Sequence, residues 1–356
     1  MISQLDISEK DVRTKQGIKL IAGLDNFIER NIVNSSTSDF LYLNHYEPSQ
    51  TECAGIDKKG IIVNKCLNTF RRINKYLEAV NSDLEEGEYF ATCLITENQH
   101  KNKFFNNRTF LIASMLYFKH FLIHRVLPKI QLTQEAYFKF TNGRYRALSL
   151  TEALGRLCCC GFEIVDYQQL GDKTFIISRK ENEPAYDMNP TYGPIVKLKR
   201  HCNKGKMIEV YKFRTMYPYA EYLQEFVYNK NGLTEGGDNF QNDFRITSWG
   251  KILRKYWLDE LPMFVNLLSG DLKLIGVRPL SKQYYNLYPK RLKLLRKKTK
   301  PGLLPPFYAD LPETLDDKID SEINYLESYL RNPIKTDLKY GYKILKNIIF
   351  NNARSK

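Results

Sequence analysis

Apolar positions along the chain alternate between the period of a strand and that of a helix. "GIIVN" (60–64) and "EYFATCLIT" (88–96) are short runs of β-branched and aromatic residues, which predict strands. Between them Leu67, Phe70, Ile73, Leu77 and Val80 recur at three- and four-residue spacing, which predicts a helix over 65–84. Ser149 followed by Glu152 is a capping-box pattern opening the next helix; Gly161 closes it, and "FEIVD" and "KTFIISRK" follow as two strands. The polar, proline-punctuated stretch 180–194 reads as a boundary between two halves.

Beyond it, "KMIEVYKFRTM" predicts a strand ending in a basic turn, and "NDFRITSWGKILRKYW" a helix capped by Thr247 or Ser248. "LDELPMFVNLLSG" predicts a helix ended by Gly270, "LKLIGVRP" a short strand, and 281–302 a basic helical region stopped at Pro301–Gly302. Two amphipathic helices close the chain. One carries Leu315, Ile319, Ile323, Leu326 and Leu330; the other carries Leu338, Ile344, Leu345, Ile348 and Ile349 among lysines. The most apolar segment, 110–130, is interrupted by Lys119, His120, His124, Arg125 and Pro128. It suits an interfacial helix or a core helix better than an ordinary span, and the first thirty residues hold no signal-like apolar core.

Composition adds one constraint. The 356 residues carry a net charge of +14, which favours polyanionic partners: nucleic acid, anionic lipid or phosphorylated substrates. The seven cysteines form no CxxC pair and read as reduced thiols, and the five histidines do not converge on a third ligand, so no zinc is assigned.

Candidate chemistry centres on Asp259 and Glu260, adjacent carboxylates before Pro262. With Pro262 in a first helical turn they would sit at a helix N-terminus, where free N–H groups favour anions. An ionised aspartate there can attack phosphorus, and a neighbouring glutamate can hold Mg²⁺. Lys212, Arg214, Arg245, Arg254 and Arg278 supply cations suited to phosphate. Nucleophile, metal ligand and cationic clamp together describe phosphoryl transfer.

The order "KFRTM", "FRIT-x-x-G-x-x-LRK", "LDELP", "GDL-x-L-I-G-x-RP" and "KPG" over about 190–350 resembles the bacterial sugar transferase family, the monotopic phosphoglycosyl transferases. The resemblance implies transfer of a phosphosugar from a nucleotide (UDP) sugar to undecaprenyl phosphate, initiating capsule, O-antigen or exopolysaccharide synthesis. Asp259 would be the nucleophile, Glu260 the Mg²⁺ ligand, and Lys212, Arg214, Arg245, Arg254, Arg278 and Pro279 the substrate-binding set. It also implies a place on the cytoplasmic face of the bacterial inner membrane against anionic lipid, and leaves a homodimer open. The chain departs from the family at Phe244, Met263 and Val277, and in "KPGLLPPFYADLP", which bears on acceptor or sugar preference. The family's apolar re-entrant helix before Gly193–Pro194 has no counterpart in the polar residues 175–192; segment 110–130 could take that membrane role.

"LEEGEYFATCLIT" and "LGRLCCCGFEIVDYQQLGDKTFIISRK" resemble the late strands of a class I methyltransferase. Since no Gly-rich loop follows a strand, the expectation is a degenerate, non-catalytic module. The expected architecture is thus α/β: a small mixed module over 1–180, then a transferase-like α/β domain over 181–356 with amphipathic membrane-interface helices. A non-catalytic membrane-docked scaffold is the alternative. Nucleic-acid binding is not expected, because no recognisable binding module is present.

Overall fold

The computed structural model describes residues 23–33, 35–46, 58–106, 108–187, 192–202, 206–231, 242–280 and 282–350. The chain is α/β and folds as two compact units: residues up to Tyr192 with Pro218–Phe226, and Gly193–Tyr217 with Val227 onward.

The first unit is built on a five-stranded sheet of β1 (Leu41–Leu43), β2 (Gly60–Cys66), β3 (Tyr89–Leu94), β4 (Phe162–Leu170) and β5 (Lys173–Lys180), in the order β1-β2-β3-β5-β4. The first three strands run parallel, and β5 lies antiparallel between β3 and β4. Around them stand α1 (Leu24–Asn31), α2 (Ile73–Asp83), α3 (Glu97–Phe105), α4 (Phe110–Phe121), α5 (Gln131–Thr141) and α6 (Leu150–Cys159). One core gathers Leu24, Phe27 and Ile28 of α1 against Ile62, Ala91, Phe175 and Ile177 of the sheet.

The predicted helix over 65–84 begins later than its periodicity suggests. Lys65 and Cys66 end β2, and Leu67–Thr69 form a 3₁₀ turn. Asn68 imposes the break: its buried amide donates to the carbonyls of Ile95 (2.8 Å) and Arg146 (2.7 Å) and accepts from Ile95 N–H. Those bonds hold Leu67 and Phe70 outside the helix despite their spacing.

At α6, Ser149 caps as predicted, its hydroxyl accepting from Glu152 N–H at 3.1 Å. Glu152 does not return the bond. Its carboxylate is fully buried and pairs with Arg125 (3.1 Å), Lys129 (3.1 Å) and Arg156 (2.9 Å). Burial would raise its pKa, but the surrounding cations hold it well below the ordinary glutamate range.

In sequence, α7 (Gln224–Asn231) spans the return to the second unit. That unit opens with the antiparallel hairpin β6 (Ile195–His201) and β7 (Met207–Phe213). α8 (Ser248–Lys255) is capped by Thr247, whose hydroxyl accepts from Gly250 N–H at 2.8 Å. A 3₁₀ turn (Leu258–Glu260) leads into α9 (Met263–Leu268), which Gly270 closes at φ +77. β8 (Lys273–Ile275) pairs in parallel with β9 (Gly302–Leu304). The basic region between them is two short helices, α10 (Lys282–Leu287) and α11 (Lys290–Arg296), separated at Pro289.

After the short α12 (Phe307–Asp310), α13 (Leu315–Arg331) and α14 (Pro333–Phe350) close the unit. The middle of α13's apolar stripe packs inward, with Leu326 buried and Ile319 and Ile323 against the same core, while Leu315 and Leu330 at its ends are exposed. α14 divides. Tyr340 and Ile344 face the core, while Leu338, Leu345 and Ile349 are exposed.

Candidate active site

The carboxylate pair sits on the 3₁₀ turn, three residues before α9, with Pro262 at that helix's N-cap. The helix is short, and Glu260 is held chiefly by local cations, whereas Asp259 keeps a backbone N–H bond on the turn and little cationic compensation. β6 and β7 present one face through Arg200 and Leu198 opposite Ile208 and Val210, and Lys212 opposite Val196. Asn266 of α9 fastens this hairpin to the turn. Its buried side chain accepts from Tyr211 N–H (3.0 Å) and donates to the Glu209 carbonyl (2.7 Å).

Lys212 therefore meets Glu260, its Nζ donating to Oε1 at 2.6 Å, and Arg278 donates to the same oxygen at 3.3 Å. Burial alone would raise the Glu260 pKa; Lys212 and Arg278 outweigh it and hold the carboxyl below its ordinary value. Asp259 goes the other way. Desolvation raises it, Glu260 adds repulsion, and Lys212 and Arg254 offset only part. Burial and Arg278 lower Lys212. Two adjacent carboxylates thus sit in unlike environments, one paired and one under-compensated, the usual prelude to different roles.

Glu260, Lys212 and Arg278, but neither Asp259 nor Arg254, line a cavity of about 60 Å³, together with Arg200 and the apolar or small residues Val210, Met263, Pro279, Gly302, Leu303, Pro305 and Tyr308. Trp257, one residue before the turn, adopts left-handed backbone at φ +57. Its ring packs 4.7 Å from Tyr308, so the wall of the cavity also braces the strained entry to the turn. From below, buried Arg296 donates to the Arg278 carbonyl and to Glu322.

Not every expected residue joins the cavity. Arg254 stands near Asp259 with its Nε donating to Thr215 Oγ1 at 3.1 Å. Arg245 is buried and paired two-pronged with Asp243 at 2.8 Å, so it braces its own loop. Arg214 donates to the Gly193 carbonyl at 2.9 Å. Neither Arg214 nor Arg245 lines the cavity. Arg200, Tyr308 and Pro305 do, and sequence reasoning had not assigned them. The alternation of β6 would have marked Arg200, which shares a face with Leu198.

The histidines are closer than their spacing suggested: His100 of α3 stands 5.1 Å from His120, and His120 stands 4.5 Å from His124, between ring centres. Among the described residues no three His, Cys, Asp or Glu are arranged to hold a metal ion.

A cavity lined by Arg200, Lys212 and Arg278 has the charge to accept an anionic group. Residues 187–350 match the model of the bacterial sugar transferase family. The chain is 32% identical over 160 residues to the galactosyl transferase CpsE of Streptococcus agalactiae, covering 44% of this chain and 31% of that protein. It is 35% identical over 114 residues to the UDP-glucose:undecaprenyl-phosphate glucose-1-phosphate transferase of Escherichia coli, covering 31% and 22%. Over 166 residues it is 28% identical to the UDP-N-acetylgalactosamine-undecaprenyl-phosphate N-acetylgalactosaminephosphotransferase of Aeromonas hydrophila, covering 44% and 36%. The chain thus spans about a fifth to a third of the length of these relatives. A solved 16S rRNA methyltransferase from T. thermophilus pairs with 48% of this chain and 33% of its own at 11% identity, but its TM-score of 0.14 carries no argument.

Proposed function

We propose that this protein transfers a sugar phosphate from a nucleotide diphosphate sugar, most simply a UDP-sugar, to undecaprenyl phosphate, initiating a capsule, O-antigen or exopolysaccharide chain. The observation that carries the reading is Glu260 paired with Lys212 and Arg278 in a cavity also lined by Arg200, with Asp259 next to it on the same turn. Asp259 attacks the phosphorus bonded to the sugar; the bond from that phosphorus to the nucleotide phosphate oxygen breaks, and the nucleoside monophosphate leaves. An acceptor phosphate oxygen then attacks the same phosphorus and releases the aspartate. Incomplete compensation suits Asp259 to this role, since a poorly solvated carboxylate is the stronger nucleophile. Arg200, Lys212 and Arg278 balance the diphosphate charge.

Two adjacent carboxylates fit Mg²⁺, which takes one or two protein carboxylates and fills its shell with water and phosphate oxygens. Glu260, with Asp259 beside it, would hold the ion, which neutralises phosphate charge when bound. Pro305 and Tyr308, from the segment that departs most from the family pattern, form the wall we assign to sugar or acceptor preference.

A polyprenyl acceptor requires a membrane. In the second unit, Trp249 and Ile252 of α8, Tyr256 at its C-cap, and Phe264, Val265 and Leu268 of α9 are exposed close in sequence to the catalytic turn, with Lys251 and Lys255 among them. They support monotopic docking on the cytoplasmic face of the inner membrane. The first unit we read as a degenerate, non-catalytic methyltransferase-like module. The deciding assay incubates the protein with a panel of labelled UDP-sugars, Mg²⁺ and undecaprenyl phosphate. Labelled lipid is expected with at least one sugar, and a labelled Asp259 adduct when acceptor is withheld. No transfer with any donor would favour a scaffold.

A further inference from the structure

The helix α4 has its faces reversed relative to a helix of a soluble domain. With the π-helical turn Leu122–Val126 and the 3₁₀ turn Leu127–Lys129 it makes a 20-residue stretch, Phe110–Lys129, long and apolar enough to cross a membrane, yet only 11% of its most apolar window is buried. The side that packs on the protein is the polar and aromatic one. Tyr117 donates to Glu97 at 3.2 Å, and His120 lies against His100 and Phe104 at 5.1 Å each. The side that faces outward is Phe110, Leu111, Met115 and Phe118, exposed by 76, 75, 73 and 62%. On α5, Leu132 and Phe140 continue the pattern. A water-facing helix places such residues inward.

Charge selects the occupant. Residues 98–134 contain no aspartate or glutamate. Arg125 and Lys129 are engaged with Glu152 inside the unit, which leaves Lys101, Lys103, Arg108 and Lys119 on the exposed surface. Among the described residues, Glu135 of α5 is the one exposed carboxylate beside this face, outnumbered by those four cations and Lys139, so an apolar face with a cationic rim matches an anionic lipid surface. The bonds and ring contacts from Tyr117 and His120 keep one side of α4 on the protein, so the helix does not stand free as a span.

We infer that α4 lies in the plane of an anionic bilayer, with Phe110, Leu111, Met115 and Phe118 embedded among the acyl chains. The inference concerns the first unit and stands independently of the transfer chemistry. Its test uses the full chain with the photo-crosslinking residue p-benzoylphenylalanine in place of Met115, and a control with it in place of exposed Gln169 on β4. Each is irradiated with vesicles of phosphatidylethanolamine and phosphatidylglycerol and read by mass spectrometry. A phospholipid adduct is expected at position 115 and none at 169. Binding to phosphatidylcholine vesicles should be about 1,000-fold weaker, from loss of attraction to the four exposed cations. The triple variant Leu111→Ser, Met115→Ser, Phe118→Ser, all at exposed positions and checked for folding by circular dichroism, should also bind about 100-fold more weakly. Crosslinks chiefly to a second copy of the chain, vesicle-bound protein without lipid adduct at position 115, or equal binding to neutral vesicles would each overturn the inference.

Discussion

Neutralising the two adjacent carboxylates one at a time should split stability from activity. In Glu260→Gln, Lys212 and Arg278 lose the charge that both contact, at 2.6 and 3.3 Å from one oxygen. The gross attraction to Lys212 is about 6 kcal/mol at an effective dielectric of ~20. Desolvation offsets most of this, and removing one partner of a well-buried pair costs about 3–5 kcal/mol net. The side chains here retain 17% (Lys212), 15% (Glu260) and 37% (Arg278) exposure, so solvent screening reduces the expected loss to about 2 kcal/mol. Because burial already lowers Lys212, the variant can shed its excess charge by losing that proton, and the loss should shrink in alkaline buffer. Asp259→Asn removes a charge that the fold holds at a disadvantage, so its stability should equal or exceed that of the unsubstituted protein, while adduct and turnover disappear at every Mg²⁺ concentration. Glu260→Gln should recover part of its turnover as Mg²⁺ is raised. Urea unfolding followed by tryptophan fluorescence, with labelled-donor mass spectrometry, reads both axes. Full turnover in Asp259→Asn, or a Glu260→Gln protein as stable as the parent at pH 7, would refute the division of roles.

Three further outcomes follow from the same packing. Arg296→Met should lower stability by about 3 kcal/mol by leaving Glu322 buried without its cation, and adding Glu322→Leu should restore most of it; a urea double-mutant cycle measures the recovery. Gly302→Ala would place a methyl group 2.1 Å from the Gly276 nitrogen, so thermal unfolding should register a loss of about 1–3 kcal/mol together with reduced transfer. Burial, with His120 nearby, lowers His100 from 6.5 to about 4; the fold then holds a neutral ring that the unfolded chain protonates first. Stability should be full above about pH 6.5 and fall toward pH 4, by about 2 kcal/mol at pH 5, and His100→Asn should remove that share in denaturation curves at pH 7 and 5.

The sequence was most informative where a local bond decides the structure. Thr247 and Ser149 cap their helices because each side chain needs only a backbone N–H three residues on. Glu260, Lys212 and Arg278 were readable from their motifs, and their side chains pair; Asp259 stands next to them on the turn but outside the cavity lining. What could not be read depends on partners distant in the chain. Asn68 breaks an otherwise regular helical pattern through bonds to Ile95 and Arg146. Arg245 looks like a phosphate clamp until Asp243 is seen to occupy it. Periodicity gives the faces of α4 but does not say which one the protein covers, so 110–130 stayed undecided between core and interface. The capping box at Ser149 failed for a similar reason, because two distant cations, Arg125 and Lys129, join the neighbouring Arg156 in taking the glutamate that would have closed it.

The bond between Lys212 and Glu260 has a further consequence for which molecules can occupy the cavity. A cation that already holds an internal anion behaves as an ion exchanger: entry requires displacement. A singly charged solute offers Lys212 and Arg278 no more than Glu260 already gives them, and it arrives without being tethered. A diphosphate brings more than one charge on a single rigid frame, can take both cations at once, and frees the glutamate for a new role in the same movement. On the proposed reading, Glu260 would thereby act as a built-in competitor that discriminates against chloride and other small monoanions. In Glu260→Gln that discrimination should vanish, and chloride, nearly inert toward the parent, should become an inhibitor competitive with the nucleotide sugar.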